Sequence, residues 1–328
     1  MSNQKVIDRD THPINHQVVE NIKKSNVNWK PFEVEDNPFK DLDPAEFNMK
    51  FGLLGIEKKD LQSNLKNLAF KHLKGFFDTL TGGKSESYHH EHENENKLRL
   101  KATLPTSFDW RTQMAACTHP VKDQNRCGSC WAFAATGFLQ DRFCIQSGGS
   151  VIVDLSSQDM VSCDFSNSGC SGGWLSSSVN YLINHGVVSH ECLSYSSTAG
   201  QTTSCKYRCD DKSTPYKKYG CRFNSMKILI DSEDIKQDLM TNGPSMFAFL
   251  IYSDFTSYNT GIYEVSNSAY VRGAHAVQVL GWDYDNGRLY WIAQNQWDTT
   301  WGEAGYFKIY DGQAGFGKTA ISCMPDFD

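Results

Sequence analysis

QNRCGSCW, residues 124–131, is the stretch around which the rest of the chain is organised. The apolar run AFAATGFL that comes directly after it, residues 132–139, predicts a buried helix with Cys130 near its N-terminal end. A helix N-terminus favours negative charge and lowers the pKa of a thiol placed there. Because the thiolate is the form that attacks carbonyl carbon, Cys130 is a candidate nucleophile, with the amide of Gln124 a few residues upstream.

The same stretch has two other interpretations. Cys127 and Cys130 form a C-x-x-C pair, and this spacing also occurs in redox dithiols and in half of a zinc site. The stretch alone does not choose between a peptidase, an oxidoreductase and a metal site. The choice therefore depends on the remaining sequence.

The composition excludes several classes of protein. Hydrophobic residues make up 39% of the chain and aromatic residues 12%, which is enough for a folded core and excludes a disordered protein. The formal net charge is −6 and no basic stripe is present, so we expect no nucleic-acid partner. No apolar run approaches the length of a bilayer span, so we expect no membrane insertion.

The cysteines indicate an oxidising compartment. All 11 lie between Cys117 and Cys323, and an odd number is what a set of disulfides plus one free thiol would give. The N-terminus lacks the apolar stretch of a signal peptide, so we expect that a signal was removed or omitted from this chain. The alternative is a reduced cytosolic protein with many bare thiols.

Residues 1–103 contain no cysteine and differ in composition from residues 104–328. Within them the spacing of apolar residues predicts a short amphipathic helix over 16–24. The prolines and aromatic residues of 29–39 predict an extended segment that lies against another surface, and 47–55 continue in that manner. Residues 61–80 predict a further amphipathic helix.

The polar, His-rich tract 88–97 separates these residues from a part of different character. Such a tract could bind metal, but a solvated linker open to proteolytic nicking is the better interpretation, with a domain boundary near Thr103. Beyond it the pattern begins helical and ends as sheet, which predicts an α+β fold with two subdomains. The predicted helices start at 156, 175 and 232, and the predicted strands cover 246–252, 274–281, 289–293 and 306–310.

Three glycines within five positions mark residues 169–174 as a loop. Glycine permits the backbone to approach another backbone or a ligand closely. Cys170 fits a tight turn pinned by a disulfide, whereas Gly172 and Gly173 fit the close approach of a substrate. The two interpretations are compatible.

The dipeptide NG at 286–287 predicts a type I′ hairpin turn. Counted outward from this turn, His275 and Asn295 fall at about the same distance, so they should lie close together at the open end of the hairpin. His275 can take the proton of the nucleophile, and Asn295 can hold the imidazole in one tautomer. The Gln124 side chain and the Cys130 backbone N–H can stabilise an oxyanion.

Three motifs together resemble the papain family of cysteine peptidases. They are CGSCW at 127–131, GAHA at 273–276, and NQW at 295–297 followed by WGE at 301–303. Within this family the chain is most similar to the cathepsin B branch, on LPTSFD at 104–109, DRFCI at 141–145, YSDF at 252–255 and GW at 281–282. The similarity covers about 104–325, and weakly the preceding residues around Trp29 and 48–49.

The resemblance implies a zymogen with a papain-like fold. Residues 1–103 would be an inhibitory propeptide with a polar linker, which runs backwards through the active-site cleft and is removed. Residues 104–328 would form the peptidase, with a helical left domain that carries Cys130 and a β-barrel right domain that carries His275 and Asn295. The cysteine and the histidine would rest as thiolate and imidazolium.

The resemblance also implies the reaction and the partners. The protein would be a cysteine-type endopeptidase that hydrolyses peptide bonds through a thioester acyl-enzyme. Its partners would be protein and peptide substrates and its own propeptide, with no nucleic acid, membrane, metal or cofactor, and it would be a monomer. Its location would be lysosomal, vacuolar or secreted.

Disulfide partners and substrate contacts are carried over from the family by position. The implied disulfides are Cys117 with Cys144, Cys127 with Cys170, Cys163 with Cys205, and Cys192 with Cys209, and we expect the remaining Cys221 and Cys323 to pair. Cys130 would then be the free thiol and Cys127 a structural residue. The implied substrate contacts are Gly172, Gly173, Trp174, Ala274, Ala276, Trp297 and Thr319.

The chain departs from cathepsin B in the loop that makes that enzyme a dipeptidyl carboxypeptidase. Cathepsin B has a long occluding loop with a pair of histidines, whereas here only residues 196–204 separate Tyr195 from Cys205, without a histidine pair. We therefore expect an endopeptidase. Thr319 stands at the floor of the S2 pocket, where cathepsin B is acidic, so we expect an apolar or aromatic residue at P2.

Two residues near the site differ from those usual in the family and could affect the rate of peptide hydrolysis. Gln296 replaces the serine usual after the asparagine and could crowd the cover that Trp297 gives to His275. Ala274 stands where glycine is common and could narrow the cleft. The alternative function is a catalytically silent homologue that acts as a binding protein, and a thiol-disulfide oxidoreductase is a weaker alternative because it needs Cys127 free.

Overall fold

The computed structural model describes residues 12–55 and 104–328 of the chain. The helix expected over 61–80, the His-rich tract 88–97 and the boundary near Thr103 lie outside the described residues. The helices are α1 (His16–Lys24), α2 (Pro44–Asn48), α3 (Trp110–Gln113), α4 (Cys130–Gln146), α5 (Ser157–Cys163), α6 (Leu175–Asn184) and α7 (Ser232–Asn242). Single 3-10 turns lie at Val34–Asp36, Ala115–Cys117, Gly169–Ser171, Phe255–Ser257 and Gln313–Gly315.

Helix α4 is the buried helix predicted after QNRCGSCW. It is 17 residues long and begins at Cys130 itself. Residues 130–144 are buried without exception, as expected of a helix that is covered on all sides. Because α4 packs against α5 and α6 on one side and the sheet strand β6 (Val271–Asp285) on another, it lies at the junction of the helical and β halves.

Helices α5 and α7 start where capping side chains predict them. The Ser156 hydroxyl accepts the backbone N–H of Asp159 at the start of α5, and the Asp231 carboxylate accepts two N–H groups of the first turn of α7. Helix α7 ends at Gly243, which has a positive φ of 111°. The predicted helices that start near 156, 175 and 232 are thus confirmed.

The β half consists of one mixed sheet. Its other strands are β1 (Trp29–Pro31), β2 (Phe108–Asp109), β3 (Lys227–Leu229), β4 (Ser245–Tyr252), β5 (Tyr258–Tyr263), β7 (Arg288–Gln294), β8 (Tyr306–Tyr310) and β9 (Ala320–Ser322). The order is β1-β5-β8-β7-β6-β4-β9-β3, with β2 paired to β6. Within the described residues β1 and β3 are unjoined edges, so the sheet is open and does not close into the expected barrel.

The N-terminal part contributes a strand and core residues to the β half. Strand β1 pairs antiparallel with β5 at the edge of the sheet, and Trp29 is buried in the same apolar cluster as Trp282 and Trp291. The extended segment predicted over 29–39 is therefore confirmed at its start, whereas Val34–Asp36 form a 3-10 turn and are not extended. The expectation that 47–55 is extended throughout is wrong at its start, because Asp43 caps helix α2 and the helix continues to Asn48.

Two apolar clusters form the cores of the two halves. One lies within the sheet and under the N-terminal part, and it includes Phe247, Phe255 and Trp297. The other surrounds α4 and includes Trp131 and Leu139. The face where the clusters meet carries the N-terminus of α4 on one side and strands β6 and β7 on the other, and this arrangement positions the candidate site.

Candidate active site

The candidate nucleophile Cys130 lies at the first position of α4 and has no exposed surface. The backbone N–H groups of Ala276, Gly52 and Trp131 reach its thiol. Burial raises the pKa of Cys130 to about 11, and these N–H groups offset that rise only in part. Ala276 belongs to the sheet, so the thiol at the end of the helix is in contact with the opposite half of the protein.

His275 and Asn295 come together at the open end of the predicted hairpin. The turn residues Asn286 and Gly287 both have positive φ, 48° and 81°, as a type I′ turn requires. His275 Nε2 lies 2.9 Å from Asn295 Oδ1. The predicted proximity of this pair is therefore present in the structure.

The hairpin register explains how the pair meets although the two residues are not at equal distances from the turn. Gln278 pairs with Gln294, and a bulge between Val279 and Gly281 removes one residue from the count along β6. If this pairing is continued by one residue beyond Gln294, Asn295 lies opposite the residue that follows Ala276. From this position the Asn295 side chain contacts His275. Counting alone could not detect the bulge.

Trp297 covers the imidazole. Its ring centre lies 4.9 Å from that of His275, and Trp297 is almost completely buried. Gln296 does not occupy this space, because its Nε2 donates to the carbonyl oxygen of Ala276 at 2.7 Å. The larger amide at this position therefore ties the Asn295 loop to β6 and leaves the tryptophan in place.

The imidazole and the thiol are both neutral in this form. Burial lowers the pKa of His275 to about 3, and the ammonium of Lys50 acts in the same direction, while the bond to Asn295 opposes it. Together with the raised thiol pKa of about 11, this favours the neutral pair in the covered site, and the thiolate and imidazolium expected of the enzyme without its propeptide stay a prediction. The physical reason is that the N-terminal part covers both groups and removes them from water.

Gln124, the predicted oxyanion donor, is fully buried, and its side-chain amide is hydrogen-bonded. Its Nε2 donates to the Cys127 carbonyl at 2.7 Å and to the Lys50 carbonyl at 3.0 Å. Lys50 belongs to the N-terminal part, so a backbone carbonyl of that part binds to the amide that was predicted to stabilise an oxyanion.

Residues 50–54 occupy the cleft between the two halves. Leu53 N–H donates to the Ala274 carbonyl at 3.2 Å, and Leu54 N–H donates to the Gly173 carbonyl at 3.0 Å. Gly173 N–H in turn donates to the Gly52 carbonyl at 2.8 Å. The two bonds of Gly173 form a parallel bridge between Leu53 and Gly173. The three bonds together occupy backbone groups of Gly173 and Ala274, which were both predicted to contact substrate.

Of the remaining predicted contacts, Gly172 lies next to this segment, and Trp174 and Thr319 each lie half-buried next to an element of the fold. A Cβ on Gly172 would lie 2.6 Å from the Gly52 carbonyl oxygen, so Gly172 also borders the segment. Trp174 is half-buried immediately before α6. Thr319 is half-buried immediately before β9, which pairs with β4 beside the His275 strand.

The structure adds two residues that no sequence motif marks. Lys50 enters the cleft with its side chain, and its Nζ lies 3.4 Å from Asp123 Oδ1. Asp123 is next to Gln124 in the sequence, so its position near the site could have been recognised. Nothing in the N-terminal sequence marks Lys50 among its neighbours as the cleft residue.

The cysteines have the partners that the resemblance implies. Disulfides join Cys117 with Cys144, Cys127 with Cys170, Cys163 with Cys205, Cys192 with Cys209, and Cys221 with Cys323. Cys130 is free. The C-x-x-C pair is therefore not a dithiol in this structure, because Cys127 is bonded elsewhere. Within residues 12–55 and 104–328, no group of three or more metal-ligating side chains is assembled for a metal ion.

Comparison with known proteins identifies the family. The model of the papain family cysteine proteases matches residues 104–324, about two thirds of the chain. The chain belongs to the papain family. The matched region contains Cys130, His275, Asn295 and Gln124, the four residues that the structure places around the cleft.

The relatives of this papain-family protease place it with the cathepsin B-like members. It is 36% identical over 275 residues to cathepsin B-like cysteine proteinase 5 of Caenorhabditis elegans, covering 72% of this chain and 79% of that protein. It is also 36% identical over 240 residues to cathepsin B of Dictyostelium discoideum, covering 69% and 76%. Cathepsin B-like CP2 of Giardia intestinalis is 38% identical over 224 residues, covering 65% and 71%.

Solved precursor structures share the fold of this cathepsin B-like protease. proCathepsin B S9 from Trypanosoma congolense superimposes with a TM-score of 0.76 at 26% identity, over 96% of this chain and 99% of that chain. Procathepsin L2 from the larval midgut of Tenebrio molitor gives a TM-score of 0.63 at 26% identity, over 93% and 87%. Among the residues described here, no helix combines the length and the apolar character needed to cross a membrane.

Proposed function

We propose that this cathepsin B-like protease is a cysteine endopeptidase made as a zymogen, with residues 1–103 as the inhibitory propeptide and residues 104–328 as the enzyme. The observation that carries the proposal is the position of Cys130. It is the free thiol of the described residues, it starts the central helix, and it contacts the strand that holds His275 against Asn295.

The reaction follows from these positions. His275 Nδ1 has no hydrogen-bond partner among the described residues and is the nitrogen free to accept the Cys130 proton, because Nε2 faces Asn295. The sulfur then attacks the substrate carbonyl carbon. The leaving amine takes the proton back from His275 as the C–N bond breaks, and water hydrolyses the resulting thioester.

The oxyanion of both steps would be held by two donors. One is Gln124 Nε2, which binds the Lys50 carbonyl in the inhibited form. The other is the Cys130 backbone N–H at the start of α4, where the helix dipole also favours negative charge. Asn295 and Trp297 act on His275 by fixing and covering its ring, and their effect on the reaction is through that residue.

Endopeptidase rather than dipeptidyl carboxypeptidase activity is supported by the short segment between Tyr195 and Cys205. Gln158 holds this segment against α5, since its Oε1 accepts the Ser196 and Ser197 N–H groups at 2.8 and 3.0 Å. Thr202 Oγ1 accepts the Cys170 N–H at 2.8 Å. We expect a segment fixed in this way on the helical half to leave both ends of the cleft open to a polypeptide.

The remaining parts of the proposal concern specificity and context. An apolar or aromatic P2 residue is expected because the neutral Thr319 stands at the S2 floor. We expect a monomer that binds protein and peptide substrates, without nucleic acid, membrane or cofactor. A lysosomal, vacuolar or secreted location agrees with the five disulfides, since disulfides persist in oxidising compartments.

The test is acid incubation of the full chain with N-terminal sequencing of the product and a parallel peptidase assay. We expect a new terminus near Leu104 that appears together with hydrolysis of a peptide blocked at its C-terminus. An epoxide inhibitor of cysteine peptidases should modify Cys130, and Cys130→Ala should abolish both activity and labelling. Absence of an adduct would favour the catalytically silent homologue, and release of C-terminal dipeptides as the main product would contradict the endopeptidase assignment.

A further inference from the structure

Lys50 lies in the cleft with its ammonium group buried. Its side chain is 6% exposed, its Nζ lies 3.4 Å from Asp123 Oδ1, and it lies 5.5 Å from the ring centre of Phe39. Burial lowers the pKa of Lys50, while Asp123 and Asp298 act to raise it. A buried ammonium group is costly unless opposite charge is near, and these two carboxylates supply it.

The two carboxylates lie together on the Trp297 side of Cys130. Asp123 forms an isolated antiparallel bridge with Trp297, and Asp298 follows Trp297 in the sequence. The Asp298 backbone N–H donates to the Lys122 carbonyl at 3.3 Å, which holds the two short stretches side by side. One end of the cleft is therefore marked by negative charge.

This end receives the leaving group in the proposed reaction. The leaving amine takes its proton from His275, and the His275 ring lies against Trp297 with their centres 4.9 Å apart. The residue that carries the amine therefore passes beside Trp297. Gly173 and Ala274 bind the segment on the other side of Gly52, which itself reaches the thiol.

We propose that Asp123 and Asp298 form an acidic subsite that selects a lysine or arginine immediately C-terminal to the scissile bond. The inference rests on the proposed peptidase function and adds the substrate class. In the inhibited form Lys50 fills the subsite. Asp123 is the principal contact because it is half-buried beside the ammonium group, whereas Asp298 is exposed and acts on the ammonium group only through its charge.

Neighbouring cations do not neutralise the subsite. Lys122 contacts the carboxylate of Asp154. Arg126 lies near enough to Lys50 to lower its pKa, and its partner Glu46, at 2.9 Å, is removed with the propeptide. The Arg126 side chain is 49% exposed, so solvent screens its charge. Asp123 also accepts the Asn125 N–H at 2.8 Å, a bond that asparagine at position 123 can keep.

The experiment uses the acid-activated full chain and three internally quenched peptides that differ only in the residue after the scissile bond. This residue is Lys, Gln or Glu, and the second residue before the bond is Phe in each peptide. We expect kcat/KM for Lys to exceed that for Gln by about 10-fold, with Glu slowest. Asp123→Asn should bring the Lys to Gln ratio close to one, and Asp298→Asn should lower it by a smaller factor.

Glu233→Gln is the matched control, because it removes one carboxylate of α7 and should preserve the ratio. Active-site titration with an epoxide inhibitor corrects every variant for the fraction of folded enzyme. Equal kcat/KM for the three peptides, or an unchanged ratio in Asp123→Asn, would overturn the acidic subsite while leaving the peptidase assignment intact. Failure to cleave any of the three peptides would instead contradict the proposed function.

Discussion

Gly52 and Gly128 approach each other so closely that a Cβ on Gly52 would lie 1.8 Å from the Gly128 carbonyl oxygen. Gly128 precedes Cys130 by two residues, and the Gly52 N–H reaches the Cys130 thiol. The N-terminal segment can therefore cross the nucleophile only with glycine at position 52. This contact is one of those that bring the segment over the sulfur.

We expect Gly52→Ala to weaken inhibition of the intact chain. The added Cβ cannot be accommodated because the atoms it meets belong to the backbone of the QNRCGSCW stretch, and overpacking of this kind costs about 1–3 kcal/mol. The initial rate of hydrolysis of a fluorogenic peptide by the uncleaved full chain at pH 7 should rise by about 10-fold or more. Met49→Ala, at a position that is 39% exposed, is the control and should remain inhibited. An equally silent Gly52→Ala chain would contradict the predicted contact.

The second prediction concerns pH and the closure of the cleft. The pKa of His275 is about 3 in the closed form, against an ordinary value of 6.5, because of burial. The open cleft therefore binds a proton between pH 6.5 and about 3 that the closed cleft excludes. Closure should be strongest above pH 6.5 and should weaken as the pH falls through this window, by up to about 1.4 kcal/mol per pH unit.

Hydrogen exchange of residues 50–54 in a full chain carrying Cys130→Ala measures this effect without proteolysis. After correction for intrinsic exchange, protection of these amides should fall as the pH is lowered from 7 to 4. A chain that also carries His275→Gln serves as the control and should show a flatter dependence. The same slope in both chains would show that His275 is not the group responsible.

The third prediction concerns Gln296, which bonds the Ala276 carbonyl at 2.7 Å and so joins the Asn295 loop to the strand of His275. Gln296→Ala removes the donor and leaves a buried carbonyl without it, which costs about 1–3 kcal/mol. We expect kcat to fall several-fold with little change in KM, since Gln296 is buried and its amide donates to a backbone carbonyl of the protein. Gln296→Asn should recover part of the loss if the bond is the cause. A change in KM alone would point to a contact with substrate instead.

The fourth prediction concerns the buried Arg142 of α4, which has no exposed surface. Its Nη2 donates to Asp238 Oδ2 at 2.6 Å, and its other nitrogens donate to carbonyls that include that of Pro244 at 2.7 Å. Arg142→Met leaves Asp238 buried with only Lys227 as an ionic partner and should cost about 3–5 kcal/mol of unfolding free energy. Urea denaturation of a Cys130→Ala chain measures the loss, and the exposed Arg208→Met is the control, with a change below about 0.5 kcal/mol. A loss no larger than that of the control would contradict the predicted role.

Much of the local structure could be predicted because it depends on interactions between near neighbours. The apolar run 132–139 predicted α4, and the capping residues at 156 and 231 predicted the starts of α5 and α7. The NG dipeptide at 286–287 predicted the hairpin, and hence the proximity of His275 and Asn295. Helix α2 was missed because the short capped turn at Asp43 lies within a stretch rich in proline and aromatic residues.

The sequence by itself determined which residues are the candidates for catalysis and which cysteines are paired, because motif spacing and resemblance to the papain family are properties of the linear chain. Only the tertiary structure decided the protonation of the site and the identity of the residue that fills it. The neutral Cys130 and His275 result from burial under residues 50–54, and the position of Lys50 beside Asp123 results from chain elements that are 73 residues apart in sequence. The burial of a residue, and the charges that surround it, depend on how segments distant in sequence pack together. A local sequence pattern does not predict that packing.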